Sequence, residues 1–134
     1  MSPKLSALDH LVLTVTDIDS TIAFYQGVLG MTSERFQPAD GSTRWALKFG
    51  SQKINLHVAG NEFEPKAQTP VPGSADLCLL TQDPLGDWQT HLHEVDIPII
   101  EGPVRRTGAV FPIESLYLRD PEGNLIEISR KLQD

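Results

Sequence analysis

Residues 7–15, ALDHLVLTV, and residues 74–81, SADLCLLT, are the two stretches on which the reading of the fold turns. Each is a short run rich in leucine and other strand-favouring residues, interrupted by a polar position, and each runs into residues that open a helix. After the first run, Asp17 or Asp19 can cap a helix whose apolar face is Ile22, Phe24, Tyr25, Val28 and Leu29, with Gly30 as a left-handed terminator. Strand candidates follow at about 31–36, 43–49 and 52–58, divided by the Asp40-Gly41 and Gly50-Ser51 turns. After the second run, Asp83-Pro84 can open a helix through about Val95, and strands are expected near 98–101, 113–119 and 124–129. The order β-α-β-β-β therefore occurs twice, as module one over about 5–58 and module two over about 74–130. Between them, 59–73 carries Gly60, Pro65, Pro70, Pro72 and Gly73, a composition that breaks regular structure and suits a connection.

An internal repeat invites comparison of matched positions. Aligning HLVLTV with DLCLLT sets His10 on Asp76, and aligning KINLH with GNLIE sets His57 on Glu127. Strand side chains alternate between faces, so His10, Val12 and Thr14 oppose Leu11, Leu13 and Val15, and the apolar set is the one expected on the helix. By the same parity Asn55 and His57 oppose Ile54, Leu56 and Val58; Asp76 and Cys78 oppose Leu77 and Leu79; Glu127 opposes Ile126 and Ile128. If the two modules curl toward each other, His10, His57 and Glu127 form a two-histidine, one-carboxylate set with open coordination positions. Such a set suits one divalent ion, Zn, Ni, Mn or Fe, and such an ion polarises a substrate oxygen or activates a water. Asp76 is a possible fourth ligand, a carboxylate base alongside Glu127, or a hydrogen-bond acceptor at a strand start.

Other residues have plainer readings. His91 and His93 lie two apart in a helix and do not share a face. Cys78 reads as a buried small hydrophobe rather than a nucleophile, since no partner motif surrounds it. Arg105 and Arg106, in a Gly/Pro-flanked loop, GPVRRTGAVFP, are candidates to clamp an anionic substrate. With Thr14, Asn55 and Tyr117 they make up the candidate substrate-binding residues. Asp120-Pro121-Glu122-Gly123-Asn124 is a tight turn that places Glu127.

The whole chain narrows the classes of function. Its 134 residues fit one domain with a core of its own. A net charge of -7 disfavours nucleic acid and anionic lipid as partners. A single cysteine excludes an intrachain disulfide, and with no signal-peptide pattern and no apolar run long enough to span a bilayer, the expected location is the cytoplasm.

LDHLVLTVTDIDSTIAFYQGVLGM near the start and LYLRDPEGNLIEIS near the end together resemble the vicinal-oxygen-chelate superfamily, which groups glyoxalase I, bleomycin-resistance proteins, fosfomycin-resistance enzymes and extradiol dioxygenases. KINLH, EFEPKA, PGSADLC and GPVRRTGA are most similar to its small single-domain glyoxalase-domain-containing members, often labelled virulence-associated. The resemblance implies an α+β fold of paired βαβββ modules in a cupped eight-stranded mixed sheet around a metal-binding cavity, usually in a homodimer. It implies His10, His57 and Glu127 as ligands, and sets Asp76 where glyoxalase I often has His or Glu. The activity it implies is that of a metal-dependent lyase or isomerase of the lactoylglutathione lyase type. Such an enzyme would act through metal-bound vicinal oxygens on a small oxygenated substrate, free or conjugated to glutathione. An extradiol-type dioxygenase, a fosfomycin-type thiol transferase and a non-catalytic small-molecule-binding resistance protein are the alternatives.

Overall fold

A computed structural model describes residues 2–132. Its elements run β1 (His10–Val15), α1 (Ile18–Gly27), β2 (Thr32–Phe36), β3 (Arg44–Phe49), β4 (Gln52–Val58), β5 (Asp76–Leu80), α2 (Leu85–Glu94), β6 (Glu101–Thr107), β7 (Pro112–Arg119) and β8 (Leu125–Lys131). The β-α-β-β-β order thus appears twice, and the chain divides into two compact units, Met1–Val71 and Pro72–Asp134. The eight expected strands are hydrogen-bonded as two four-stranded mixed sheets, β1-β4-β3-β2 and β5-β8-β7-β6, one to each βαβββ module. Each sheet is mixed for one physical reason. The helix crossover returns the chain parallel to the first strand, whereas the short turns that follow permit only antiparallel neighbours.

In the first unit the expected faces hold. Leu13 and Val15 of β1, Leu47 of β3 and Ile54 and Leu56 of β4 are buried, as are Phe24 and Tyr25 of α1, whose rings meet edge to face at 5.3 Å. Asp17 is the helix cap: its carboxylate accepts from the Ser20 amide at 3.1 Å and its backbone carbonyl from the Thr21 hydroxyl at 2.8 Å. Gly30 takes the left-handed conformation, φ 75°, that ends the helical segment. Asp17→Ala is expected to cost about 1 kcal/mol, a cap's usual worth, and to lower the thermal midpoint by a few degrees without changing the folded spectrum.

In the second unit the apolar faces of β7 and β8 supply Leu116, Leu118, Ile126 and Ile128, and α2 supplies Leu85 and Leu92; all are buried. The expected strand at 98–101 is corrected: β6 occupies 101–107, so the segment GPVRRT read as a loop is an edge strand. Pro103 is tolerated there because an edge strand leaves one row of backbone groups unpaired. Gly102 has φ 115°, and a Cβ on it would lie 2.4 Å from the Ser115 carbonyl oxygen, so glycine alone fits. The register slips at this point, from Glu101 opposite Tyr117 to Val104 opposite Ser115. Three residues of β6 thereby span two of β7, a bulge that exchanges the faces of everything after it. Among the described residues no helix is long and apolar enough to cross a membrane.

Candidate functional site

The DPEGN turn places the two acidic residues of the second unit. Asp120, buried, accepts from the amides of Glu122 and Asn124 at 2.9 Å each and from the Asn124 side-chain amide at 2.8 Å. Asn124 in turn accepts from the Ala75 amide at 2.9 Å, which ties the start of β5 to the start of β8. Asp76 then lies opposite Leu125, and Glu127 opposite both Cys78 on β5 and Tyr117 on β7. Burial and the neighbouring Asp76 carboxyl push the Glu127 carboxyl above its ordinary range, against the pull of the Tyr117 hydroxyl. Tyr117 accepts from Arg106 Nε at 2.9 Å, and Arg106 Nη2 reaches Glu101 at 3.2 Å.

The β6 bulge decides which arginine takes part. It pairs Arg106 with Ile113, on the face of Ser115 and Tyr117, and Arg105 with Glu114, on the opposite face. Arg106 therefore joins the site and Arg105 does not. Cys78 is exposed on the Glu127 face rather than buried as expected, and its thiol hydrogen-bonds the Ser129 hydroxyl at 3.2 Å. Partial desolvation of the sulfur nevertheless pushes that thiol up, so little thiolate forms and it remains a poor nucleophile. Cys78, Glu127 and Arg106, with Leu80, Phe111 and Ile113, line a cavity of about 540 Å³. The residues 109–113 that close it were no part of the expected site; their sequence, AVFPI, carries only an apolar signal.

In the first unit, His10 Nδ1 is hydrogen-bonded to the Asp9 carboxylate at 2.7 Å. A carboxylate can only accept, which places the ring proton on Nδ1 and leaves the Nε2 lone pair for an external partner, the usual arrangement of a metal-binding histidine. Along the parallel pair, His10 stands opposite Lys53, Val12 opposite Asn55 and Thr14 opposite His57. Thr14, His10, Asn55 and His57 thus share a face, as the parity argument expects. The equivalence of His57 with Glu127 is corrected, however. Glu127 pairs with the residue two beyond Asp76, and the residue that pairs two beyond His10 is Asn55.

His57 falls two residues further along, four from the level of His10, or roughly 13 Å of strand. It is buried against Phe63, ring centroids 5.5 Å apart, and Arg44 stacks on the same ring at 3.9 Å. Burial and the Arg44 charge hold His57 below its ordinary value, a packed, neutral ring. Asn55 Oδ1 is buried and has no hydrogen-bond partner among the described residues, a state an acceptor oxygen rarely keeps. His91 and His93 sit on α2, with His91 edge-on to Trp88.

Among the described residues no three His, Cys, Asp or Glu side chains are gathered as a metal centre. Each unit taken by itself carries donor types that suit a divalent ion: in the first a histidine oriented by an aspartate and an amide oxygen without a partner, in the second two neighbouring carboxyls.

The model of one family, described as the glyoxalase/bleomycin resistance protein/dioxygenase superfamily, matches residues 7–128. The chain belongs to that superfamily. Over 126 residues it is 58% identical to a glyoxalase domain-containing protein of Mycosarcoma maydis, covering 94% of this chain and 69% of that protein. It is 54% identical, again over 126 residues, to a virulence protein of Salmonella typhimurium, covering 94% of this chain and 85% of that one. The crystal structure of the Salmonella virulence protein matches with a TM-score of 0.89 over 97% of this chain and 100% of that chain, at 52% identity. A structure from the mobile metagenome of V. Pseudocholerae matches at 0.93, over 99% of this chain and 100% of that chain, with 53% identity. Superfamily membership accords with the twice-repeated unit and with the two-ended motif of the sequence.

Proposed function

We propose that the protein is a metal-dependent lyase or isomerase of glyoxalase type, acting in the cytoplasm as a homodimer on a small substrate with two adjacent oxygens. The observation that carries this reading is the pair of neighbouring carboxyls, Asp76 and Glu127, with Glu127 on a cavity wall that Arg106 shares and Tyr117 beside it. The groups that would serve a divalent ion are His10 and the oxygen of Asn55 in the first unit, and Asp76 and Glu127 in the second; His57 is set aside because its ring is packed against Phe63. When bound, that ion supplies positive charge to both substrate oxygens and so acidifies the intervening C–H bond.

The residues of the chain do the proton work. The carboxylate pair takes the proton from the hydroxyl-bearing carbon while its electron pair moves toward the neighbouring carbonyl. It then returns that proton to the former carbonyl carbon, as the hydroxyl hydrogen passes between the two oxygens. Nothing is oxidised overall. Tyr117 holds Glu127 in place from β7, and Arg106, neutralised by Glu101, holds Tyr117.

Two measurements test the reading together. Elemental analysis of protein purified without chelator should find about one Zn, Ni, Mn or Fe per chain. In D₂O the carbon-bound hydrogens next to the carbonyl of 2-hydroxyketones should exchange faster with the wild type than with Glu127→Gln; the methylglyoxal–glutathione hemithioacetal and Fe(II)-dependent catechol cleavage are run beside them. Protein that takes up no ion and exchanges no hydrogen overturns the enzyme and favours a binding protein. Catechol cleavage without exchange favours a dioxygenase.

A further inference from the structure

We propose that the cavity beside Glu127 selects an uncharged oxygenated molecule with an aryl or branched aliphatic arm, rather than a glutathione conjugate; this rests on the reading above and names its substrate class. Half of the cavity's lining side chains, Leu80, Ala109, Val110, Phe111 and Ile113, are carbon. Leu80, from the end of β5, is 63% exposed, a large apolar side chain with no cover from its own unit. Phe111, from the segment that joins β6 to β7, and Ile113, from the start of β7, line the same cavity.

That segment is built to hold its shape. The Gly108 amide donates to the Phe111 carbonyl at 3.1 Å, and a Cβ on Gly108 would lie 2.3 Å from the same oxygen, so the turn tolerates only glycine. Lys131 Nζ sits over the Phe111 ring at 4.9 Å and pins it from outside. The polar side chains of the lining are those of Glu127, Cys78, Arg106 and Thr107, and a carbonyl or hydroxyl would meet the Glu127 carboxyl. One molecule satisfies both kinds of lining if its oxygens and its hydrocarbon are segregated.

A glutathione conjugate fits poorly on charge. It brings two carboxylates and one ammonium, and binding them takes at least two cationic anchors. Among the described lining residues Arg106 is the sole cation, and its guanidinium is already held by Glu101, Tyr117 and the Arg105 carbonyl. The net charge of -7 opposes a further anion.

NMR titration with neutral probes tests this. 2-Hydroxyacetophenone and hydroxyacetone share the oxygenated head and differ in phenyl against methyl, and S-methylglutathione stands for the conjugate. The phenyl probe should bind on the order of 10-fold more tightly than hydroxyacetone, from the apolar area it buries, and S-methylglutathione no more tightly than hydroxyacetone. Leu80→Gln, at an exposed position, and Phe111→Ala should each cut the preference to within about 3-fold, the carbon wall being its source. Tighter binding of S-methylglutathione, or a preference unchanged in both variants, overturns the proposal. Metal content is read in the same samples. Metal-loaded protein that fails to discriminate the probes overturns the substrate class alone, and metal-free protein that discriminates them overturns only the metal reading. Failure of both overturns both.

Discussion

Glu127→Gln and His10→Ala are each expected to lower affinity for Zn²⁺ or Ni²⁺ by more than the ~10–100-fold that loss of an outer partner costs a metal site. His57→Ala should stay within a few-fold of wild type, and Asn55→Ala should fall between them. Calorimetric titration of metal into stripped protein measures all four. Equal losses for His57 and His10 would return His57 to the ligand set and remove Asn55. A signature in the metal-free protein accompanies the effect. Because the folded-state pKa of Glu127 is raised above its unfolded value, its stabilising contribution is complete below the ordinary glutamate range. It is lost as pH rises through the folded value. Metal-free wild type should therefore lose thermal stability as pH rises above the ordinary glutamate range, and Glu127→Gln should not; above that window the variant should melt higher than wild type. A bound ion favours the charged carboxylate and reverses the order.

The largest effect on stability is expected at Leu116, fully buried at the centre of β7. Leu116→Ala removes side-chain carbon from a position with no exposure and leaves a void that its neighbours Leu118, Ile126 and Ile128 can only partly fill. The expected cost is about 3 kcal/mol, by comparison with other buried leucines. For a domain of this size that lowers the midpoint on the order of 10 °C. Thermal and urea denaturation followed by circular dichroism measure it, and a shift below about 1 kcal/mol would show that this face is not tightly packed.

Much of this was legible in the residues. The repeated order, both helices, the Asp17 cap and the Gly30 stop follow from local chemistry that tertiary packing reinforces. The face of every strand bearing a site residue in the first unit follows from parity. What parity cannot see is a slip of two residues, because side chains two apart point the same way and bury the same face. That is the error that matched His57 to Glu127: KINLH and GNLIE align well by apolar spacing, while the parallel pairing with β1, a long-range contact, sets the true register. Asn55 was passed over as a ligand because a neutral amide carries no signal until its oxygen is found buried without a partner. Arg106 and Arg105 could not be told apart either, since adjacent residues are separated only by a bulge that depends on the close approach of Gly102 to Ser115. The same glycine and Pro103 hid β6 behind the composition of a loop.

That edge has a bearing on how copies of the chain can meet. A long, flat border strand offers its unpaired backbone as a template for another molecule, the first step toward open-ended aggregation. β6 offers a poor template: it is kinked at Gly102, lacks an amide at Pro103, and carries the charged side chains of Glu101, Arg105 and Arg106. Extension of the second sheet by a neighbouring chain along β6 is thereby blocked, and self-association must use another surface. The bulge that brings Arg106 to Tyr117 also guards solubility, so a substitution that straightened it would endanger the site and the dispersed state of the protein together.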